Sequence, residues 1–304
     1  MAVMIRSISK HKKYLGYTFY GILLMIGLLY YRFPSDALGD YLQSRADVIS
    51  TRSRVLVGKV RPSFPFGVKF LKSKVSLKEN PYTSLFISDS LLIKPELWSY
   101  FKGKSKYLFQ CLTYGGDIRG SIEFENNGTE TSETPFTTSM ELRNIQINDY
   151  EYLSTLFGRK LKGLLGGVVT YNGQWNLLIN GAGEANLRIS DGSVRFLQPV
   201  FSLESVGFDD LWIKMVLEKE IIKLTRVDMD GKEIKGTLSG TIALKSKFSE
   251  SRLALRGNIE PLAGFFKNDK GSPDILKLFK RRLKRGKLSF MIRGTPADPK
   301  IRFI

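Results

Sequence analysis

Of the 304 residues, 47 are lysine or arginine and 29 are aspartate or glutamate, so the chain carries a formal charge of +18 at neutral pH. One cysteine, Cys111, excludes an internal disulfide. One histidine, His11, lies in a basic N-terminal flank, which excludes a Ser-His-Asp or Cys-His pair and a histidine-rich metal site in the bulk of the chain. A hydrophobic content of 42% with 28 glycines and 11 prolines describes a folded, turn-rich chain. Such a basic chain is attracted to polyanions. Its cations are dispersed over strand-like segments behind an apolar N-terminal run, which favours a membrane surface or an acidic partner over nucleic acid.

From Tyr14 to Tyr31 no charge interrupts about eighteen residues, the length needed to cross a bilayer's hydrocarbon core as one helix. Arg6, Lys10, Lys12 and Lys13 precede this run and Arg32 follows it, while Tyr14, Tyr17, Tyr30 and Tyr31 stand where amphipathic rings prefer the headgroups. The expectation is a transmembrane anchor over 14–32 behind a cytoplasmic basic segment, 1–13. A cleaved signal peptide would show a shorter apolar run; Ser35-Asp36-Ala37 has the small residues of a cleavage site, but Pro34 intervenes. A buried core helix would keep a polar stripe, and here only Thr18 and tyrosine hydroxyls are polar. Ser35 then caps an expected juxtamembrane helix within 33–54, with Leu38, Tyr41 and Leu42 on one side.

The remainder, 55–304, reads as one β-rich domain. Val55 and Val57, Val75 and Leu77, Leu85 and Ile87, and Leu91 and Ile93 alternate with other residues, and Pro62, Pro65 and Gly67 punctuate. Pro95 to Phe101 reads as a helical turn or two closed by Gly103. GDIRGS at 116–121 is echoed by KEIKGT at 232–237, MELRNI at 140–145 by LALRGNI at 253–259, and GRKLKGLL at 158–165 by RRLKRGKLSF at 281–290. The order of these blocks predicts a duplicated strand, strand, helix, strand unit, about 115–173 and 231–295, with the units sharing one core.

Asn172-Gly173 and Asp191-Gly192 carry the signature of tight two-residue hairpin turns. Leu187 and Ile189 before the second turn, and Val194 and Phe196 after it, are expected on one face. Leu238, Ile242 and Leu244 share a face with Gly236 and Gly240 by the period of two. A face that alternates glycine with aliphatic residues is either packed core or the lining of a lipid groove. Ser272-Pro273-Asp274 opens an expected helix whose apolar side, Ile275, Leu276, Phe279 and Leu283, is surrounded by Lys277, Lys280, Arg281, Arg282, Lys284 and Arg285. Such a helix lies on an anionic bilayer, holds an acidic partner, or caps the sheet with solvated cations.

Gly181-Ala182-Gly183 begins like a dinucleotide fingerprint but lacks the third glycine and leads into a strand. No phosphate loop is present, the paired aspartates at 209–210 and 228/230 lack calcium-loop spacing, and Asn127-Gly128-Thr129 is only a formal glycosylation sequon. No carboxylate pair is singled out for acid-base work, so no enzyme activity, cofactor or metal is expected.

Taken together, the basic N-terminus, the span ending in YRFPSDAL, the P-x-x-P-x-G-V segment at 62–68 and the NGAGEANLRISDGSV stretch at 180–194 resemble the type II secretion system protein N family. The glycine-spaced strand running into Asp191-Gly192 also resembles AsmA-like envelope proteins. The resemblance implies a mainly β fold: a twisted antiparallel sheet, half-open with an apolar concave face, behind a single inner-membrane helix, with the sheet in the periplasm. It implies a non-enzymatic component of the secretion machinery acting as a docking module, whose edge strands and basic turns, including Arg159, Lys160 and Lys162, bind other secretion proteins. The alternative is lipid handling, in which phospholipid or another envelope lipid occupies the apolar face.

Overall fold

The computed structural model describes residues 2–49, 53–78, 84–125, 134–150, 153, 161–200, 203–262 and 286–304. Two helices open the chain, α1 (Ala2–Tyr31) and α2 (Ser35–Ile49). The strands follow: β1 (Ser53–Leu56), β2 (Lys59–Ser63), β3 (Gly67–Leu77), β4 (Ser84–Pro95), β5 (Lys104–Thr113), β6 (Gly116–Glu125), β7 (Phe136–Gln146) and β8 (Leu161–Gly173). Beyond them run β9 (Ala182–Val200), β10 (Leu203–Glu218), β11 (Ile221–Asp230), β12 (Ile234–Ala243), β13 (Arg252–Pro261), β14 (Leu288–Gly294) and β15 (Pro299–Phe303). A short helix, α3 (Leu97–Tyr100), sits between β4 and β5, inside the segment expected to turn helically.

All the strands belong to one 15-stranded antiparallel sheet. From β3 onward each strand pairs with the next in sequence, while β1 and β2 lie end to end along the outer edge of β3. The fold is therefore mainly β, as expected, with few short helices. Of the segments read as a repeat, GDIRGS opens β6 and KEIKGT leads into β12, while MELRNI lies in β7 and LALRGNI in β13; the third pair, at 158–165 and 281–290, lies partly outside the described residues. The helix expected from Ser272, with all six of its basic candidates, lies outside the described residues.

Among the described residues no helix is long and apolar enough to cross a membrane, so the expected transmembrane anchor is not supported. The helix at that place, α1, has its apolar run diluted by Gly16, Gly21, Gly27, Thr18 and tyrosines. Every described side chain from Tyr14 to Tyr31 is nevertheless exposed, large apolar ones such as Leu15, Phe19, Leu23 and Leu28 included.

Helix α2 packs on the sheet rather than standing apart from it. Its residues Leu38, Gly39, Leu42 and Gln43 turn inward, while Tyr41, expected on the same side, is exposed. Gly39 lies against Val60, which is 2% exposed. The Gln43 amide nitrogen donates to the Val55 carbonyl, and its oxygen accepts from the Val57 N–H at 2.8 Å. One side chain thus takes up a donor and an acceptor of an otherwise unpaired strand edge, which blunts it. Gln43→Ala is expected to cost about 1–3 kcal/mol by orphaning these groups. Hydrogen exchange would register this as faster exchange confined to β1 and β2.

The two hairpin expectations are corrected. Asn172 and Gly173 end β8, and a 3-10 turn over Trp175–Asn180 precedes β9. Asp191, at φ 50°, is a bulge inside the uninterrupted strand β9, opposite a register shift between Lys162 and Leu164 of β8. Residue types that supply positive φ serve turns and bulges alike. Here the partners β8 and β10 continue past Asp191, so the chain stays in the sheet.

Candidate functional site

Cross-strand partners in a sheet point to the same face. Following the register from strand to strand, Val60 faces Phe70, which faces Leu91, then Cys111, Ile118, Leu142 and Gly167. The line continues through Leu187, Ile213, Val227, Leu238, Gly257, Phe290 and Phe303. No charged side chain interrupts it. At roughly 4.8 Å per strand the row is about 60 Å long. A parallel row runs from Val68 through Ile93, Phe109, Gly120, Met140, Val169, Ala185, Met215, Leu224, Gly240, Leu255 and Ile292 to Ile301. On the other side, Ile145, Leu165, Ile189, Leu211, Met229, Gly236, Ile259 and Leu288 form a third.

Most of these side chains are half-buried. A few are sealed: Val60 and Leu288 are each 2% exposed and Leu255 is 6% exposed. Among the described residues, α2 packs at the β1–β2 edge and the short helical turns α3, Ile147–Asp149 and Trp175–Asn180 lie beside β5 and β8, and no second sheet covers the strands. A twisted sheet of this size curls. The outcome is an apolar face that is neither closed core nor open surface.

The opposite face is polar and paired. Arg119 meets Asp117 at 2.6 Å, Arg143 meets Glu141 at 2.7 Å and Arg188 meets Asp210 at 2.6 Å. Hydrogen bonding from Arg188 holds the Asp210 carboxyl below its usual range, and the Arg188 guanidinium also lies 4.8 Å from the centre of the Trp212 ring. These exposed pairs keep that face wet and contribute little stability.

Leu187 and Leu238 share the long row, joined through Ile213 and Val227, and Ile189 lies in the third row. Ile242 faces Ile222 and Leu253 in a further apolar line, and Val194 pairs with buried Val206. Leu244 follows β12, half-buried, its N–H donating to the Glu220 carbonyl at 2.7 Å. The side chain of Phe196 lies outside the described residues, as do Arg159 and Lys160 of the basic turn; Lys162 is exposed on β8. Sequence reasoning missed Ile213 and Val227, although both sit in alternating runs that would have revealed them. It also missed an aromatic series in which Phe136 lies 6.2 Å from Phe124, 5.5 Å from Tyr171 and 4.7 Å from Trp175.

Cys111 is a buried member of the long row, its Sγ 3.3 Å from the Ser88 Oγ, and burial pushes its thiol pKa up. That environment makes it an inert side chain. Among the described residues no group of histidine, cysteine, aspartate and glutamate is placed to hold a metal ion.

Comparison with known protein families, with curated proteins and with solved structures finds no match. The face itself therefore carries the functional argument.

Proposed function

We propose that this chain is a membrane-anchored envelope protein, AsmA-like in kind, whose curved sheet holds lipid acyl chains along its apolar face. The observation that carries this reading is the uninterrupted row from Val60 to Phe303, half-exposed and without a charged member. A monomer rarely leaves so long an apolar strip uncovered unless something occupies it. Acyl chains match it in chemistry, since they need apolar contact along a length and no directional hydrogen bonds. In this reading α1 enters the inner membrane, which accounts for apolar side chains exposed all round it, and the cations before Tyr14 keep the N-terminus cytoplasmic with the sheet on the far side.

A second reading, a docking module of the type II secretion machinery, is favoured by one observation. Strand β15 is exposed along its length and pairs on one side with β14, with no described strand on the other. Such an edge accepts a partner strand.

Photo-crosslinking of the full chain in intact cells separates the two. With a photoreactive residue at Ile189 or Leu238, the expected product is a lipid adduct identified by its mass. Protein adducts at Ile301 without lipid adducts at Ile189 and Leu238 would sink the lipid reading and leave docking.

A further inference from the structure

The strands of the sheet end at two rims, and the connectors of one rim differ in kind from ordinary loops. That rim gathers the connectors after β2, β4, β6, β8, β10, β12 and β14, as the pairings of Ser63 with Gly67, Pro95 with Tyr107, Phe124 with Phe136, Asn172 with Ala182 and Gly294 with Pro299 require; most of the β6–β7 connector lies outside the described residues. Among the described residues, its first half presents exposed aromatic and aliphatic tips. Phe64, 72% exposed, stands between β2 and β3. Trp98 at 79% and Phe101 at 83% stand in the α3 connector, with their rings 6.1 Å apart. Trp175, one ring face stacked on buried Phe136 and the residue 50% exposed, and Leu178 stand in the 3-10 connector before β9. None of these positions builds the sheet, and solvent-exposed loop tips are ordinarily polar.

A second observation fixes what this rim faces. Gly39 of α2 lies by Val60, and Gln43, one turn later, bonds Val55 and Val57, so α2 runs antiparallel to the line of β1 and β2. Its first residue, Ser35, therefore points toward Ser63 and the same rim. Helix α1 leaves the sheet from the end that carries Phe64, Trp98 and Trp175.

We propose that this rim docks on the bilayer surface that receives α1, with Phe64, Trp98, Phe101 and Trp175 seated at the headgroup level. Tryptophan, phenylalanine and leucine in an exposed row suit that layer because it accepts an apolar ring and a polar edge together. Glu218, Glu220 and Glu250 stand among Lys219, Lys245 and Lys247 on the rest of the rim, so the contact is aromatic rather than electrostatic and persists at high salt. The docking stands the strands upright on the membrane and brings the end of the apolar face within reach of its lipids. The proposal rests on the anchor reading for α1 but not on what the sheet face carries.

The chain has 3 tryptophans, and they make the test internal: Trp98 and Trp175 lie on the rim, whereas Trp212 lies on the polar face. Full-length single-tryptophan variants, made by tryptophan to phenylalanine changes, are reconstituted in phosphatidylethanolamine and phosphatidylglycerol vesicles. These vesicles carry a doxyl quencher near the headgroup end of the acyl chain. Trp98 and Trp175 are expected to lose about half their emission, as rings seated in the interface would, and Trp212 to lose almost none. Trp98→Asp with Phe101→Asp, in exposed positions outside the sheet, is expected to lower quenching at Trp175 while the chain still floats with vesicles. An unquenched Trp98 in a chain that floats, or equal quenching at Trp212, overturns the rim contact alone. A chain that fails to float overturns the anchor with it, and lipid adducts at Ile189 are scored independently of both.

Discussion

Ile213→Asp is expected to weaken the binding of acyl chains by about 100-fold while leaving the sheet folded. Ile213 is the centre of the long row, between Leu187 and Val227, and is half-buried. Because Ile213 is only half-buried, an introduced carboxylate keeps much of its water when no lipid is present, so the fold is spared the cost of an entombed charge. An acyl chain laid along the row would have to strip that water or lift away from it. Losing contact over three or four methylenes at about 0.8 kcal/mol each accounts for the expected factor. Mass spectrometry of lipids co-purifying with the variant measures it, with Lys214→Asp on the polar face as the control. Lipid retained at the unmodified level by a folded Ile213→Asp chain would mean that the row is not where lipid lies.

Gly167→Ala is expected to destabilise the sheet by about 4 kcal/mol, the sum of backbone strain and overpacking. Gly167 sits in the long row at φ 145°, and a Cβ there would meet the Asn186 carbonyl oxygen at 2.2 Å. Gly240 in the neighbouring row is held the same way, at φ 138° with the Ala254 oxygen 2.3 Å from a built Cβ. Both obstacles are backbone of the adjacent strand, which cannot rotate away. Gly207, also in a strand, has nothing closer than 3.9 Å to a built Cβ, and Gly207→Ala should change stability by less than about 1 kcal/mol. Thermal unfolding of the three variants side by side checks the contrast. A Gly167→Ala chain that melts with the parent would show that β8 does not hold this backbone.

Much of the sheet was legible because alternation is a local signal. The period of two puts Leu238 and Ile242 on a common face, and that face is the apolar one. A hairpin at Asp191-Gly192 would also bring Leu187, Ile189 and Val194 together, but the structure replaces the hairpin with another cause. The residue at positive φ, Asp191, is a bulge that shifts the alternation by one, so that 187, 189 and 194 stay on one side within a single strand. A dipeptide that frees φ does not reveal whether the partners continue beyond it. The pairing of β9 with β8 and β10 decided that. The aromatic rim was illegible for the opposite reason. Trp98, Phe101 and Trp175 lie in connectors without periodicity, far apart in the chain, and only strand order brings their loops to one edge.

What the sequence by itself determined is the chemistry of each segment: an uncharged N-terminal run, strands with one apolar face, and a single histidine and a single cysteine, too few for a histidine- or cysteine-rich site. These follow from residue type and short-range period, which act over a few bonds. What only the tertiary structure decided is register: which apolar face meets which, that Val60 and Phe303 close the same row, and that α1 leaves from the aromatic rim. Register is set by hydrogen bonds between strands and by bulges that advance one strand on its neighbour, and neither leaves a local trace beyond the glycines and aspartates that permit them.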